Sequence, residues 1–129
     1  YATAKHGIST IALRPGGIAR AEAYRPDDVR YMLGTVDVRD VAQAFVLALE
    51  APDDFRHEVF VVTADSPLCR VDFRLFRSDP ALAFSQALPA LAKAVAEGRV
   101  KLSASMEWYS VEKAKRLLGY RPQYNFRIE

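Results

Sequence analysis

The stretch Leu13-Arg14-Pro15-Gly16-Gly17-Ile18 holds the residues best suited to bind a ligand. It follows a short apolar run rich in β-branched residues, and a turn just past the carboxyl end of a parallel strand is where open α/β sheets hold ligands. Gly16 and Gly17 allow close backbone approach and leave amides unshielded by side chains. The plain alternative is a turn that simply ends a strand, as Pro and Gly often do. Tyr1 and Lys5 stand four residues apart, a spacing that puts both groups on one face of a helix. Arg30 carries a planar guanidinium whose fork matches a carboxylate in bidentate fashion, although most surface arginines are only solvated charge. Asp40 stands just before an amphipathic stripe and reads as a helix cap rather than an acid/base catalyst. Arg39 can pair with Asp37 or Asp40, or point into a cleft, and the structural role is the favoured one.

Composition excludes other chemistries. Of 129 residues, 50% are apolar and 26% charged, which fits a single folded domain rather than a disordered chain. The net charge of +2, from 18 Lys and Arg against 16 Asp and Glu, is too small for a nucleic-acid partner, which needs a concentrated basic stripe. A single cysteine, Cys69, rules out an internal disulfide or a cysteine-based metal cluster. His6 and His57 carry no ligand spacing, so no metal site is expected. No apolar run approaches the roughly 20 residues that span a bilayer, so no membrane partner is expected and the plain reading is a cytoplasmic protein.

These residues need elements to position them. Tyr1 to Lys5 reads as the last turn of a helix that stops at His6-Gly7. Ile8 to Leu13 reads as a strand of the parallel type, buried on both faces. Ile18 to Thr35 reads as a loop with at most one short helix. Val36 to Val38 is a short strand, followed by a helix capped by Asp40 with Val41, Ala44, Phe45, Ala48 and Leu49 on its buried stripe. Glu58 to Thr63 is the clearest strand. Leu68 to Asp79 fits either a strand or a short helix. Pro80 to Gly98 is alanine-rich and helical, with Pro89 interrupting or starting a second helix. Ser110 caps a last helix whose stripe is Val111, Ala114, Leu117 and Leu118, with Gly119 as its stop. Trp108, Tyr109 and Phe126 read as packing residues, and Cys69 as a buried or half-buried thiol. This rhythm of helix, glycine stop, strand and Pro-Gly loop predicts an α/β fold.

Three blocks in order, Gly7 to Ile18, Val36 to Ala44 and Ser110 to Pro122, resemble the extended short-chain dehydrogenase/reductase family, the NAD-dependent epimerases, dehydratases and sugar dehydrogenases. The resemblance implies the C-terminal part of a doubly wound Rossmann-like parallel sheet plus a small α/β substrate-binding lobe. It implies hydride transfer between NAD or NADP and a sugar or sugar nucleotide. Pro15 and Gly16 would then run beside the nicotinamide, with Gly17 and Ile18 on the substrate side. The short linker carrying Arg30 resembles the uronate dehydrogenase-like branch, where such an arginine grips a substrate carboxylate. Tyr1-x-x-x-Lys5 spells the family's catalytic pair. The match reads as coincidence, because Lys5 directly precedes the His6-Gly7 stop, whereas the family's pair lies several turns earlier on that helix.

The sequence has no Gly-x-x-Gly-x-x-Gly loop to seat a pyrophosphate on a helix N-terminus. The chain also opens at Tyr1 already in a helical register. Both predict that residues 1–129 form one domain that is a fragment of a longer enzyme, inactive alone and binding no NAD(P) tightly. The competing expectation is a non-catalytic interaction or oligomerisation module, such as a homodimer formed through an exposed sheet edge.

Overall fold

The computed structural model describes residues 2–23, 32–101, 103, 106 and 108–126. Helix α1 (Ala2–His6) stops at Gly7, whose N–H donates to the Thr3 carbonyl at 3.1 Å. Strand β1 (Thr10–Pro15) begins two residues later than the apolar run suggests, because its parallel partner β4 (His57–Val62) first offers a residue, His57, opposite Thr10. The Thr10 hydroxyl bonds His57 Nδ1 at 2.7 Å and the Thr3 hydroxyl at 2.9 Å. His57 therefore ties the amino ends of the two strands together.

Past Gly16 the chain does not turn away but continues as β2 (Gly17–Ala19), which pairs in parallel with β3 (Thr35–Asp37). The turn expected through Gly17 and the loop expected from Ile18 to Thr35 therefore give way to strand at both ends, because each supplies the other's partner. The two pairs form a fork. The Gly16 N–H reaches the Val62 carbonyl at 3.1 Å, and beyond that rung β1 and β4 part. β3 enters the gap, its Gly34 carbonyl accepting from Gly17 N–H at 2.9 Å and its Thr35 carbonyl from Ala64 N–H at 2.8 Å. The described residues thus form a mixed α/β structure with parallel pairing throughout.

β3 runs straight into helix α2 (Val38–Leu49), so the cap is Asp37 and not Asp40. The Asp37 side chain accepts from Arg39 N–H at 2.8 Å. Asp40, buried in the first turn, instead accepts from the backbone N–H groups of Gln123 and Tyr124 at 2.9 and 3.1 Å, and Gln43 exchanges two bonds with the backbone of Arg121. One helix edge thereby anchors the C-terminal segment. The expected stripe is only half covered: Val41 and Ala44 are buried, but Phe45 is 54% and Leu49 86% exposed. Likewise no residue of β1 is fully buried, against the expectation of burial on both faces. Both departures have one cause: among the described residues β1 pairs only with β4, and no layer covers its outer face or the adjoining side of α2.

The rest builds a helical lobe: a 3-10 turn (Pro67–Arg70), then α3 (Phe73–Ser78), α4 (Pro80–Ala87) and α5 (Pro89–Ala96). The segment open to either a strand or a helix is thus a turn and a helix. Asp72 and Asp79 cap α3 and α4, and Pro80 and Pro89 each open a helix where no amide is needed. Phe76, Phe84, Leu68 and Leu91 form this lobe's core, and Val36, Phe60, Val62, Val111, Leu118 and Tyr120 form the core beneath the fork. Each such fully buried large side chain contributes roughly 1.5–3 kcal/mol. The last helix widens into a π-type turn (Ala114–Leu118) and ends at Gly119, whose φ of 74° is left-handed. No helix among the described residues is long and apolar enough to cross a membrane.

Candidate functional site

The fork sets the site. At the carboxyl ends of β1 and β4, Pro15 and Gly17 are exposed and Gly16 is half-buried, with Ile18 exposed beside them. The four residues of the expected ligand-side turn are therefore contiguous on one accessible rim. Gly16 is required there by close approach: a Cβ on it would sit 1.9 Å from the Gly34 carbonyl oxygen and 3.0 Å from Thr63 Cγ2. Its amide and that of Gly17 are spent on Val62 and Gly34, so these glycines admit β3 rather than presenting free N–H groups. Gly34 in turn lies against the Tyr109 ring, 3.1 Å from a Cβ built there. Tyr109 thus links the turn to the helical lobe.

Beyond Ala64 a cleft of about 580 Å³ opens, with Asp65, Cys69, Glu112, Lys115 and Asn125 on its wall. Lys115 Nζ donates to Asp65 Oδ2 at 2.7 Å and to Glu112 Oε1 at 2.9 Å. Burial opposes its charge, but the two carboxylates outweigh burial and its pKa is raised. Asn125 fixes the loop by accepting from Asp65 N–H at 2.8 Å. Cys69, expected to be buried or half-buried, is exposed here because it sits on the outer side of the 3-10 turn. A second cleft of about 520 Å³ shares Cys69 and Glu112 and is walled by Phe73, Trp108 and Tyr109. Trp108 packs edge-on against Phe73 and Phe76, with ring centroids 5.5 and 5.1 Å away.

Behind the turn lies a saturated ion cluster. The carboxylate of Asp37 is fully buried and accepts from Ala21 N–H at 2.6 Å, from Arg39 N–H, and from Arg39 Nε and Nη2 at 2.7 and 2.8 Å. Arg39 also reaches Glu22 Oε1 at 2.7 Å and lies 3.6 Å from the centre of the Tyr124 ring, a stacking that adds about 1 kcal/mol. The side-chain bonds from Arg39 hold the Asp37 pKa well below the usual carboxylate range, against the opposing effect of burial. With every oxygen engaged, Asp37 and Arg39 tie the start of the segment after β2 to the cap of α2, the structural role favoured for Arg39.

Lys5 is exposed on α1, which abuts the amino end of β1 through Thr3. The six residues of β1 separate it from the turn, roughly 20 Å at strand rise. Tyr1 and Arg30 lie outside the described residues. Among the described residues no cluster of His, Cys, Asp and Glu could hold a metal ion. The sequence reading did not single out Gly34, Thr63, or the Asp65–Lys115–Glu112 set. Gly34, directly before β3, is a legible signal, whereas Asp65 and Lys115 meet across fifty residues and leave no local pattern. Compared with known proteins, the chain matches no family model and no curated protein.

Proposed function

We propose that this chain is the C-terminal, substrate-side part of an NAD(P)-dependent extended short-chain dehydrogenase/reductase acting on a sugar or sugar nucleotide. The observation that supports the reading is the break between β1 and β2: Pro15 and Gly16 sit at the carboxyl ends of β1 and β4, Gly17 opens β2, and Gly16 has no room for a Cβ where β3 enters. Open α/β sheets bind ligands in the crevice outside the carboxyl ends of their strands, which supports this reading. In this reading the outer edge of β1 and the apolar groove between β1 and α2, walled by Ile11, Leu13, Phe45 and Leu49, receive the preceding strands and helices of a doubly wound sheet.

What supports a nicotinamide at this rim is the exposed backbone of Pro15 and Gly17, since the Gly16 and Gly17 amides already bond Val62 and Gly34. Pro15 and Gly16 would lie beside the nicotinamide and Gly17 and Ile18 on the substrate side. Arg30 is assigned to the substrate by the resemblance alone, and no glycine-rich loop exists in the sequence for the pyrophosphate. When bound, the cofactor supplies the hydride acceptor or donor. The chain's own residues shape the rim and hold the substrate.

The test is to recover the coding sequence upstream of Tyr1, express the whole product and follow NAD(P)H formation with sugars and uronates. The expected result is an upstream glycine-rich loop and sugar-dependent reduction, with this chain alone binding NAD(P) weakly or not at all. A whole product without that loop, or unable to bind NAD(P), removes the reading.

The same groove favours a second reading, a non-catalytic module that self-associates through Phe45 and Leu49. Sedimentation of this chain separates the two. A dimer dispersed by Leu49→Asp supports the module, and a monomer at all concentrations eliminates it.

A further inference from the structure

Ser66 lines the cleft of about 580 Å³ beyond Ala64, yet it is only 5% exposed. Its oxygen accepts from Leu68 N–H at 3.2 Å and so caps the 3-10 turn. Its hydroxyl hydrogen has no acceptor among the described residues. A buried donor left unpaired is costly, and folded proteins meet it with protein, water or a ligand. The same wall holds charge that the fold has not spent. Arg70 has no hydrogen-bond or ion-pair partner among the described residues, and its guanidinium fork matches a carboxylate. Lys115 gives two of its three N–H groups to Asp65 and Glu112. Each of those carboxylates offers Lys115 one oxygen and keeps the other.

The charges of the lining balance, Arg70 and Lys115 against Asp65 and Glu112. A simple anion or cation finds no net field of opposite sign there, whereas a dipolar ion uses both signs at once. The spacing narrows the class. Asp65 and Ser66 are consecutive, so an unspent acceptor and an unspent donor stand on Cα atoms about 3.8 Å apart. An α-amino acid suits that span, because its ammonium and carboxylate share one carbon. Cys69 adds no charge to the wall: partial burial, and then the Asp65 and Glu112 carboxylates, push its thiol pKa up, and its S–H donates to the Tyr109 carbonyl at 3.7 Å. Phe126 supplies an apolar surface beside the charged groups.

We propose that this cleft binds a free α-amino acid, its carboxylate held by Ser66, Arg70 and the third N–H of Lys115, its ammonium by the unspent oxygens of Asp65 and Glu112, and its side chain against Phe126. The site does not rest on the reaction proposed above and uses none of the residues assigned to it.

Equilibrium dialysis of this chain against labelled L-leucine tests it. Saturable retention is expected. L-leucinamide, which lacks the carboxylate, and N-acetyl-L-leucine, which lacks the ammonium, are each expected to displace the label about tenfold less well than unlabelled L-leucine, as loss of one charge-assisted hydrogen bond predicts. Inorganic phosphate is expected not to displace it. Arg70→Ala should weaken L-leucine about tenfold and abolish the preference over leucinamide, and Glu112→Gln should reduce the preference over N-acetyl-leucine. Both residues are exposed, and unchanged circular dichroism confirms that each variant folds. No saturable retention, a blocked form or phosphate that competes as well as L-leucine, or variants that bind and discriminate like the parent chain overturns the proposal. Sugar-dependent NAD(P) reduction by the whole product is read separately and neither supports nor removes this site.

Discussion

Replacing Gly16 by alanine tests the fork directly. The added methyl would sit 1.9 Å from the Gly34 oxygen, 2.9 Å from the Gly34 carbonyl carbon and 3.0 Å from Thr63 Cγ2. Two of those atoms are backbone, so no side chain can rotate away. Relief requires β3 to withdraw, and β3 is held by the Gly17–Gly34 and Ala64–Thr35 bonds of 2.9 and 2.8 Å. Overpacking of this kind costs about 1–3 kcal/mol, and each ladder bond lost adds about 1 kcal/mol. With one or both bonds lost the sum is about 2–5 kcal/mol, a large fraction of the roughly 5–15 kcal/mol that holds a domain folded. Urea denaturation followed by circular dichroism reads it as a lower midpoint at an unchanged slope. Gly17→Ala is the control, because its Cβ would meet only Thr35 Oγ1 at an ordinary 3.7 Å, and its cost is expected within about 0.5 kcal/mol. Gly16→Ala as stable as the parent chain, or Gly17→Ala equally damaging, would refute the argument that close approach fixes this glycine.

Other expectations follow from the same geometry. Asp37 titrates below its ordinary value of 3.8 in the fold, so its ionic contribution is complete above that pH and is lost as pH falls below it. Asp37→Asn should lower stability at neutral pH by about 2 kcal/mol and flatten the acid limb of a stability–pH profile; an unchanged profile would show that the pair with Arg39 carries no linkage. Tyr120→Phe removes the buried hydroxyl bond to the Thr63 carbonyl, 3.0 Å long, and should cost about 1 kcal/mol in the same urea assay. Gly119→Ala meets no atom within 4 Å but must hold φ at 74°, so a loss of about 1 kcal/mol in thermal unfolding would measure backbone strain alone.

The sequence by itself determined the local grammar. Gly7 and Gly119 stop helices, Pro89 opens one, and the β-branched runs near Ile11 and Val59 make strands, because turn chemistry and strand preference act within a few residues. The break at Gly16 was legible for the same reason, but not that Pro15 would end one strand and Gly17–Ala19 form the next, which needed β3 as a distant parallel partner. Tertiary structure decided what depends on distant partners. Asp37 rather than Asp40 caps α2 because β3 enters the fork without an intervening loop. Asp40 is instead taken up by Gln123 and Tyr124, more than eighty residues away. Phe45 and Leu49 keep the helical spacing of a buried stripe, yet they stand exposed, because a stripe is covered only where another element packs on it. The Asp65–Lys115 pair and the aromatic cleft of Phe73, Trp108 and Tyr109 exist only once β4 delivers its carboxyl end to the last helix, a meeting that residue order alone does not encode.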